Sequence, residues 1–150
     1  MKSILIIGLG RFGRHLCRKF MSLKNEVMIV DRDEAAVTAL ADEATSAQIA
    51  DCTDENALRA LGVKNFDLCF VCIGSDFASS LLITSMLKDM GAARVVAKAS
   101  QDIHAKLLLR NGADDVVYPE RDSAERMATR LSAQNVFDYI ELTDEYSIYE

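Results

Sequence analysis

One short turn constrains this chain more than any other stretch. Gly8-Leu9-Gly10-Arg11-Phe12-Gly13 follows the apolar run Ile4–Ile7 and opens a stretch of helical periodicity, in which Phe12, Leu16, Phe20 and Leu23 recur three or four residues apart. Each glycine has a physical reason to be there. Gly8 permits a tight turn, Gly10 lets backbone approach a pyrophosphate, and Gly13 lets the helix pack closely on the strand. The free N–H groups and the dipole at the helix start favour an anion. Asp31 stands eighteen positions after Gly13, at the end of the apolar run Val27–Val30. A carboxylate there suits ribose hydroxyls and disfavours a 2′-phosphate, which argues against NADP.

The rest of the pattern agrees with that turn. Further apolar runs lie at Leu68–Ile73, Val95–Ala97 and Val116–Tyr118, with a weaker one near Ala47–Ala50. Continuous runs of this kind predict strands covered on both faces, as in a parallel sheet. Amphipathic stretches separate them. Thr53 is expected to cap a short helix that stops at Leu61-Gly62, and Asn111-Gly112 to end one that begins near Ile103. The stretch Phe77 to Leu87 carries no charge. It predicts a helix buried deep on the sheet or covered on its second side by another subunit. A final helix is expected from Ser123 to Asn135, with Ala124, Met127, Ala128 and Leu131 on one stripe. The expected fold is α/β, a doubly wound parallel sheet in a Rossmann-type three-layer domain with a C-terminal crossover helix. That domain would span residues 1–135. Residues 136–150 read as a linker and the start of a truncated second domain, because Asp138–Leu142 and Tyr146–Glu150 look like strands of something that continues.

Several function classes are excluded by charge and composition. The formal net charge of −6 argues against an electrostatic grip on nucleic acid or an anionic membrane. No signal pattern precedes the first strand, and no apolar run approaches the roughly 20 residues of a membrane helix, so a cytoplasmic address is expected. Cys17, Cys52, Cys69 and Cys72 read as small buried hydrophobes. Cys69 and Cys72 form a C-x-x-C, but their odd separation within a strand points them to opposite faces, and His15 and His104 stand alone, so neither metal nor redox chemistry is expected.

Other residues at the predicted strand ends carry chemistry. Arg11 sits at a helix start, where a cation is unfavourable unless an anion is bound. A third phosphate would gain more from it than a dinucleotide's two, which favours ATP or ADP. Arg32 either flanks an adenine or is a surface charge. Asp51 either accepts from an adenine amino group or forms a turn ahead of Thr53. Gly74 lets the chain pass close to a ligand or serves an ordinary turn. Lys98 ends an apolar strand and either meets a ligand anion or reaches water.

Taken in order, these residues resemble the N-terminal domain of the bacterial regulators of potassium conductance, the cytosolic gating-ring family of Ktr- and Trk-type uptake systems. The resemblance is carried by Ile6-Ile7-Gly8-Leu9-Gly10-Arg11-Phe12-Gly13, Val30-Asp31, Asp51-Cys52-Thr53-Asp54, Leu61-Gly62-Val63, Gly112-Ala113-Asp114 and Pro119-Glu120-Arg121-Asp122. It implies a nucleotide-sensing subunit that pairs into dimers and builds a ring, commonly of eight, beneath a membrane potassium channel. ATP or ADP, and secondly NAD(H), would shift the shape of that ring. The implied ligand-contacting set is Gly8, Gly10, Arg11, Phe12, Gly13, Asp31, Arg32, Asp51, Cys52, Gly74 and Lys98, with Asp51 and Cys52 beside the adenine. Glu120 would help seat a cation near the phosphates; from the residues alone it is equally a capping acid at a helix start. Some Ktr-type members have a neutral amide where Asp51 stands. The implied location is cytoplasmic, peripheral to the inner membrane through the channel subunit.

Two other readings compete. One is the cofactor-binding domain of an NAD-dependent oxidoreductase. No tyrosine is followed four residues later by lysine, and no catalytic partner accompanies either histidine, so a non-catalytic role is expected. The other is an NAD-sensing repressor, for which nothing in the chain is basic enough to bind DNA.

Overall fold

The computed structural model describes residues 1–133. The strands expected after residue 136 lie outside the described residues. The chain divides into two compact units, Met1–Val117 and the segment from Tyr118 onward.

The first unit is a six-stranded sheet, all parallel, in the order β3-β2-β1-β4-β5-β6. The strands are β1 (Ser3–Ile7), β2 (Glu26–Asp31), β3 (Ser46–Ile49), β4 (Leu68–Val71), β5 (Val95–Lys98) and β6 (Asp115–Val117). Helices α1 (Arg11–Ser22), α2 (Glu34–Leu40), α3 (Glu55–Ala60), α4 (Phe77–Asp89) and α5 (Asp102–Arg110) connect them. β1 lies at the centre, with Ile4 opposite Val27 on one side and Leu68 on the other. From Ile4 to Ile7 its side chains are almost wholly excluded from solvent, as the uninterrupted apolar run predicts.

The two faces of the sheet follow from the two-residue period of a strand. Ile4, Ile6, Val27, Ile29, Phe70 and Cys72 share one face with Cys17 of α1 and Val37 and Leu40 of α2. Phe20 and Phe70 meet there with ring centroids 5.5 Å apart. Leu5, Cys69 and Val71 have the opposite parity, and α4 packs against β4 and β5. Cys69 and Cys72 thus fall on opposite faces. All four cysteines are free and buried.

The local stops are those expected of glycine: Gly62 at φ +72° and Gly112 at φ +117° take left-handed backbone after α3 and α5. The cap of one helix differs from the expectation. The cap of α3 is Asp54, whose Oδ1 accepts from Asn56 N at 2.9 Å, so the helix starts at Glu55. Thr53 is held instead by Asp51, its hydroxyl donating to Asp51 Oδ1 at 2.6 Å. α4 buries Ser80, Ile83, Thr84 and Leu87 on one side, while Leu82 is exposed.

In the second unit, α6 spans Pro119–Ser132 and begins four residues before the predicted Ser123. A proline suits the first helical position, where its missing N–H leaves no bond unmade. Within this unit Asp122 N donates to the Tyr118 carbonyl at 2.8 Å, and the Arg121 guanidinium lies 3.6 Å from the centre of the Tyr118 ring.

Candidate functional site

The C-terminal ends of β1, β2, β3 and β4 surround a cavity of about 250 Å³. It lies at the reversal of strand order between β1 and β4, where open α/β sheets leave a crevice for ligands.

The glycine turn forms one wall. Gly8 takes φ +100°, and a Cβ there would come within 2.9 Å of the Cys72 carbonyl carbon and oxygen. Only glycine lets the turn lie this close to the end of β4. Gly13 does the packing expected of it, because an added Cβ would collide with the Gly8 carbonyl oxygen. Gly10 is different: no atom lies within 4 Å of a Cβ built there. It caps α1 in extended conformation, with no side chain bonded to the cap and no acid in the first turn. The amides at the start of α1 therefore face open space that a phosphate would fit.

Asp31 faces this turn from the end of β2. Its Oδ2 accepts from Leu9 N at 2.8 Å and its Oδ1 from Asp33 N at 2.9 Å. Each oxygen keeps a second lone pair for a ribose hydroxyl. The carboxylate thus has two tasks, fixing the turn and lining the cavity.

Across from it, Asp51 and Cys52 follow β3. Both hydrogen bonds from Thr53, side chain and then backbone, hold the Asp51 carboxyl below its ordinary range. Asp51 is the turn-former that its sequence permitted, and it lines the cavity as well. Cys52 is nearly buried, and that burial, reinforced by the charges of Asp51 and Asp31, pushes its thiol up to about 12. It offers shape and no nucleophile. Arg32 also lines the cavity.

Lys98 ends β5 and reaches across Gly74, with Nζ 3.4 Å from where a Gly74 Cβ would stand. These two residues lie on both the first cavity and a second of about 220 Å³ at the ends of β4 and β5. Phe77 and His104 border the second, their rings stacked at 3.9 Å and 9°.

The structure therefore brings Gly8, Gly10, Asp31, Arg32, Asp51, Cys52, Gly74 and Lys98 onto one cavity. Three residues of the expected ligand-contacting set follow the turn without lining the cavity. Arg11 is exposed at the start of α1, outside the cavity lining. Phe12 packs against the hydrophobic core. Gly13 is buried under the turn. Glu120 is in the first turn of α6, within the second unit. Among the described residues no three His, Cys, Asp or Glu side chains are grouped to hold a metal.

Thr53, Ser75, Asp76 and Ser79, outside the set expected from the sequence, also line the cavity. Asp76 caps α4, accepting from Ser79 N at 3.1 Å and from its hydroxyl at 2.6 Å, and these bonds hold its carboxyl low. The signal was present: an Asp three residues before Ser at the head of a predicted helix, after a strand.

The TrkA-N domain profile matches residues 4–119. This chain belongs to the TrkA-N domain family. Over 149 residues it is 44% identical to Ktr system potassium uptake protein C of Bacillus subtilis, covering 99% of this chain and 67% of that protein. Protein A of the same system and organism is 42% identical over the same shares. Among solved structures, the TrkA-N domain of the inner membrane protein ybaL from Escherichia coli superimposes with a TM-score of 0.75 at 19% identity, over 85% of this chain and 94% of that one. The GsuK channel bound to NAD gives a TM-score of 0.69 at 20% identity, over 77% and 21%. At these identities the structural likenesses establish the fold of this TrkA-N domain, a Rossmann-type sheet, and the sequence relatives establish its lineage.

Proposed function

We propose that this TrkA-N domain is the nucleotide-sensing part of a potassium uptake regulator, binding its ligand without transforming it. The observation that carries the reading is the pairing of an open glycine-capped helix start with an acid bonded to that same turn. Gly10 leaves the α1 amides accessible, and Asp31 stands across the turn with spare lone pairs. Phosphate and ribose are the two groups this pair suits. The relatives support the physiological setting, since both B. subtilis proteins are potassium uptake components.

ATP or ADP is the first choice of ligand. Arg11 is exposed beside the open amides and has no acidic partner among the described residues, so terminal phosphates would supply the counter-charge that the helix dipole alone does not. NAD(H) is the second choice; one structural neighbour is bound to NAD and another, the same GsuK channel, to ADP. Asp51 and Cys52 would border the adenine, and at the dimer interface Glu120 would help seat a cation near the phosphates. Sensing requires differential affinity, since a ligand shifts a two-state assembly only as far as it binds one state better. In this reading the subunit pairs into dimers and a ring, commonly of eight, beneath a membrane potassium channel. It sits on the cytoplasmic side and holds to the membrane through that channel subunit. No described helix is long and apolar enough to cross a membrane.

Calorimetry with ATP, ADP and NADH, run beside an NADH-turnover assay, tests the proposal. Saturable binding of an adenylate with no consumption of NADH supports it. Turnover with a simple carbonyl substrate, or no heat with any adenylate, overturns it.

A further inference from the structure

The charges of this chain are segregated along its length. Residues 1–25 contain Lys2, Arg11, Arg14, Arg18, Lys19 and Lys24 and not one acid; all 23 Asp and Glu residues come from Glu26 onward. The fold gathers the cations of α1 on one surface. Arg11, Arg14, His15, Arg18 and Lys19 are all exposed on the outer side of α1, while Gly13 and Cys17 are buried on its inner side. Lys24 follows α1 at φ +68°; Lys2 lies apart, beside β2, where Glu26 N donates to its carbonyl at 2.9 Å and Asp67 is at the same edge.

Among the described residues, few acids pair with the α1 cations. Arg18 pairs with Glu43 at 3.1 Å. Arg14 turns its Nε back to the Gly10 carbonyl at 3.4 Å, and Lys19 has no acidic partner among the described residues. Like charges three and four positions apart on a helix repel, and cations in the first turn oppose the dipole. Such a strip is unfavourable alone and becomes favourable when an anion covers it.

We propose that the outer face of α1 is a docking surface for a short acidic segment of another polypeptide. The strip is about 18 Å long at 1.5 Å per residue. An extended chain of roughly five or six residues spans that distance. The choice of partner follows from charge and range. An extended anionic surface, whether a bilayer or a nucleic acid duplex, meets the whole molecule, whose net charge is −6. A short segment lies within about one Debye length, roughly 8 Å, of the strip and feels mainly its cations. The apolar face of α1 is packed on the sheet, so it has no wedge to place among lipid tails.

The test uses the full chain and a fluorescein-labelled peptide of six glutamates, read by anisotropy at about 50 mM and about 300 mM salt. Vesicles of phosphatidylcholine with phosphatidylglycerol and a short DNA duplex are the comparison probes. The expected result is saturable peptide binding that weakens with salt and falls about tenfold or more in Arg14→Glu/Lys19→Glu. Lys106→Glu/Arg110→Glu, on α5, serves as the charge-matched control and should bind within about twofold of the parent. The neutral pair Arg14→Gln/Lys19→Gln gives an intermediate loss and covers the case in which reversal disturbs folding. Equal peptide binding by all variants, no binding by the parent, or tighter binding to vesicles or DNA than to peptide overturns the proposal. An adenylate-induced rise in melting temperature reports on nucleotide sensing separately, so failure of one reading is distinguishable from failure of the other.

Discussion

Three glycines share one turn, and they answer to different forces. At Gly13 a methyl group has no room, because the Gly8 carbonyl oxygen already fills it. Gly13→Ala is expected to cost at least about 1–3 kcal/mol through overpacking, seen as a lowered urea midpoint with no ligand present. At Gly10 nothing is near. Gly10→Ala should fold with a near-parent midpoint and lose adenylate affinity in calorimetry, since the methyl occupies the approach of the phosphate. Asp31→Asn keeps an oxygen for Leu9 N but sets its NH2 against the Asp33 N–H, and it loses the charge that the proposed reading offers to ribose hydroxyls. Its adenylate affinity is expected to drop about tenfold or more, given the roughly 1.5–3 kcal/mol of a charge-assisted bond. Buried thiols give a further check at this scale. Burial pushes Cys52, Cys69 and Cys72 up to about 12. The native protein should therefore resist iodoacetamide at pH 8 and react fully once unfolded in urea.

Among the elements, Asp114 ties α4 to the sheet. It accepts from Val95 N at 2.7 Å and from Lys88 Nζ at 3.0 Å, at the point where α5 returns to β6. Partial burial alone would raise its carboxyl, but the Val95 N–H and the Lys88 ammonium outweigh that and hold it below the ordinary range. A carboxylate depressed in the native state stabilises the fold above its unfolded value of about 3.9, and that stability fades as pH falls through the lower native value. Urea midpoints at pH 7, 4.5 and 3 should fall with acid in the parent. Asp114→Asn should start lower at pH 7 and change less over the same range. The element boundaries also show what a sequence makes legible. β1 and β2 were plain because their apolar runs are buried on both sides. The start of α6 was not, because Pro119 reads equally as a strand terminator and as a first helical residue, and only backbone geometry decides between them. Thr53 reads as a cap, where the structure has Asp54, for a related reason: Asp51, Thr53 and Asp54 are all good turn and cap residues within four positions, and their competition is settled in three dimensions.

At the level of the molecule, the cavity was legible where one stretch of chain supplied it and obscure where several did. The turn and Asp31 obey a known spacing. Ser75, Asp76 and Ser79 reach the cavity only because β4 lies beside β1, a neighbour relation that strand order supplies and local pattern does not. Ligand linkage acts on this whole assembly. An adenylate at about a hundred times its Kd adds about 2.7 kcal/mol to the native state, which for a chain of this size raises Tm by roughly 5–10 °C. Differential scanning fluorimetry with ADP checks it, and Asp31→Asn should show a smaller rise at the same concentration.

The bond from the Leu9 amide to the Asp31 carboxylate has one more consequence. In the proposed reading this is the sugar end of the crevice, and it is preorganised, so a guest would order little of the protein on arrival and every adenosine compound would meet the same ready-made seat. A seat common to all guests adds equally to every affinity and separates none of them. Discrimination among mono-, di- and triphosphates, and any signal derived from it, must then be generated by whatever the tail of the guest touches beyond Gly10.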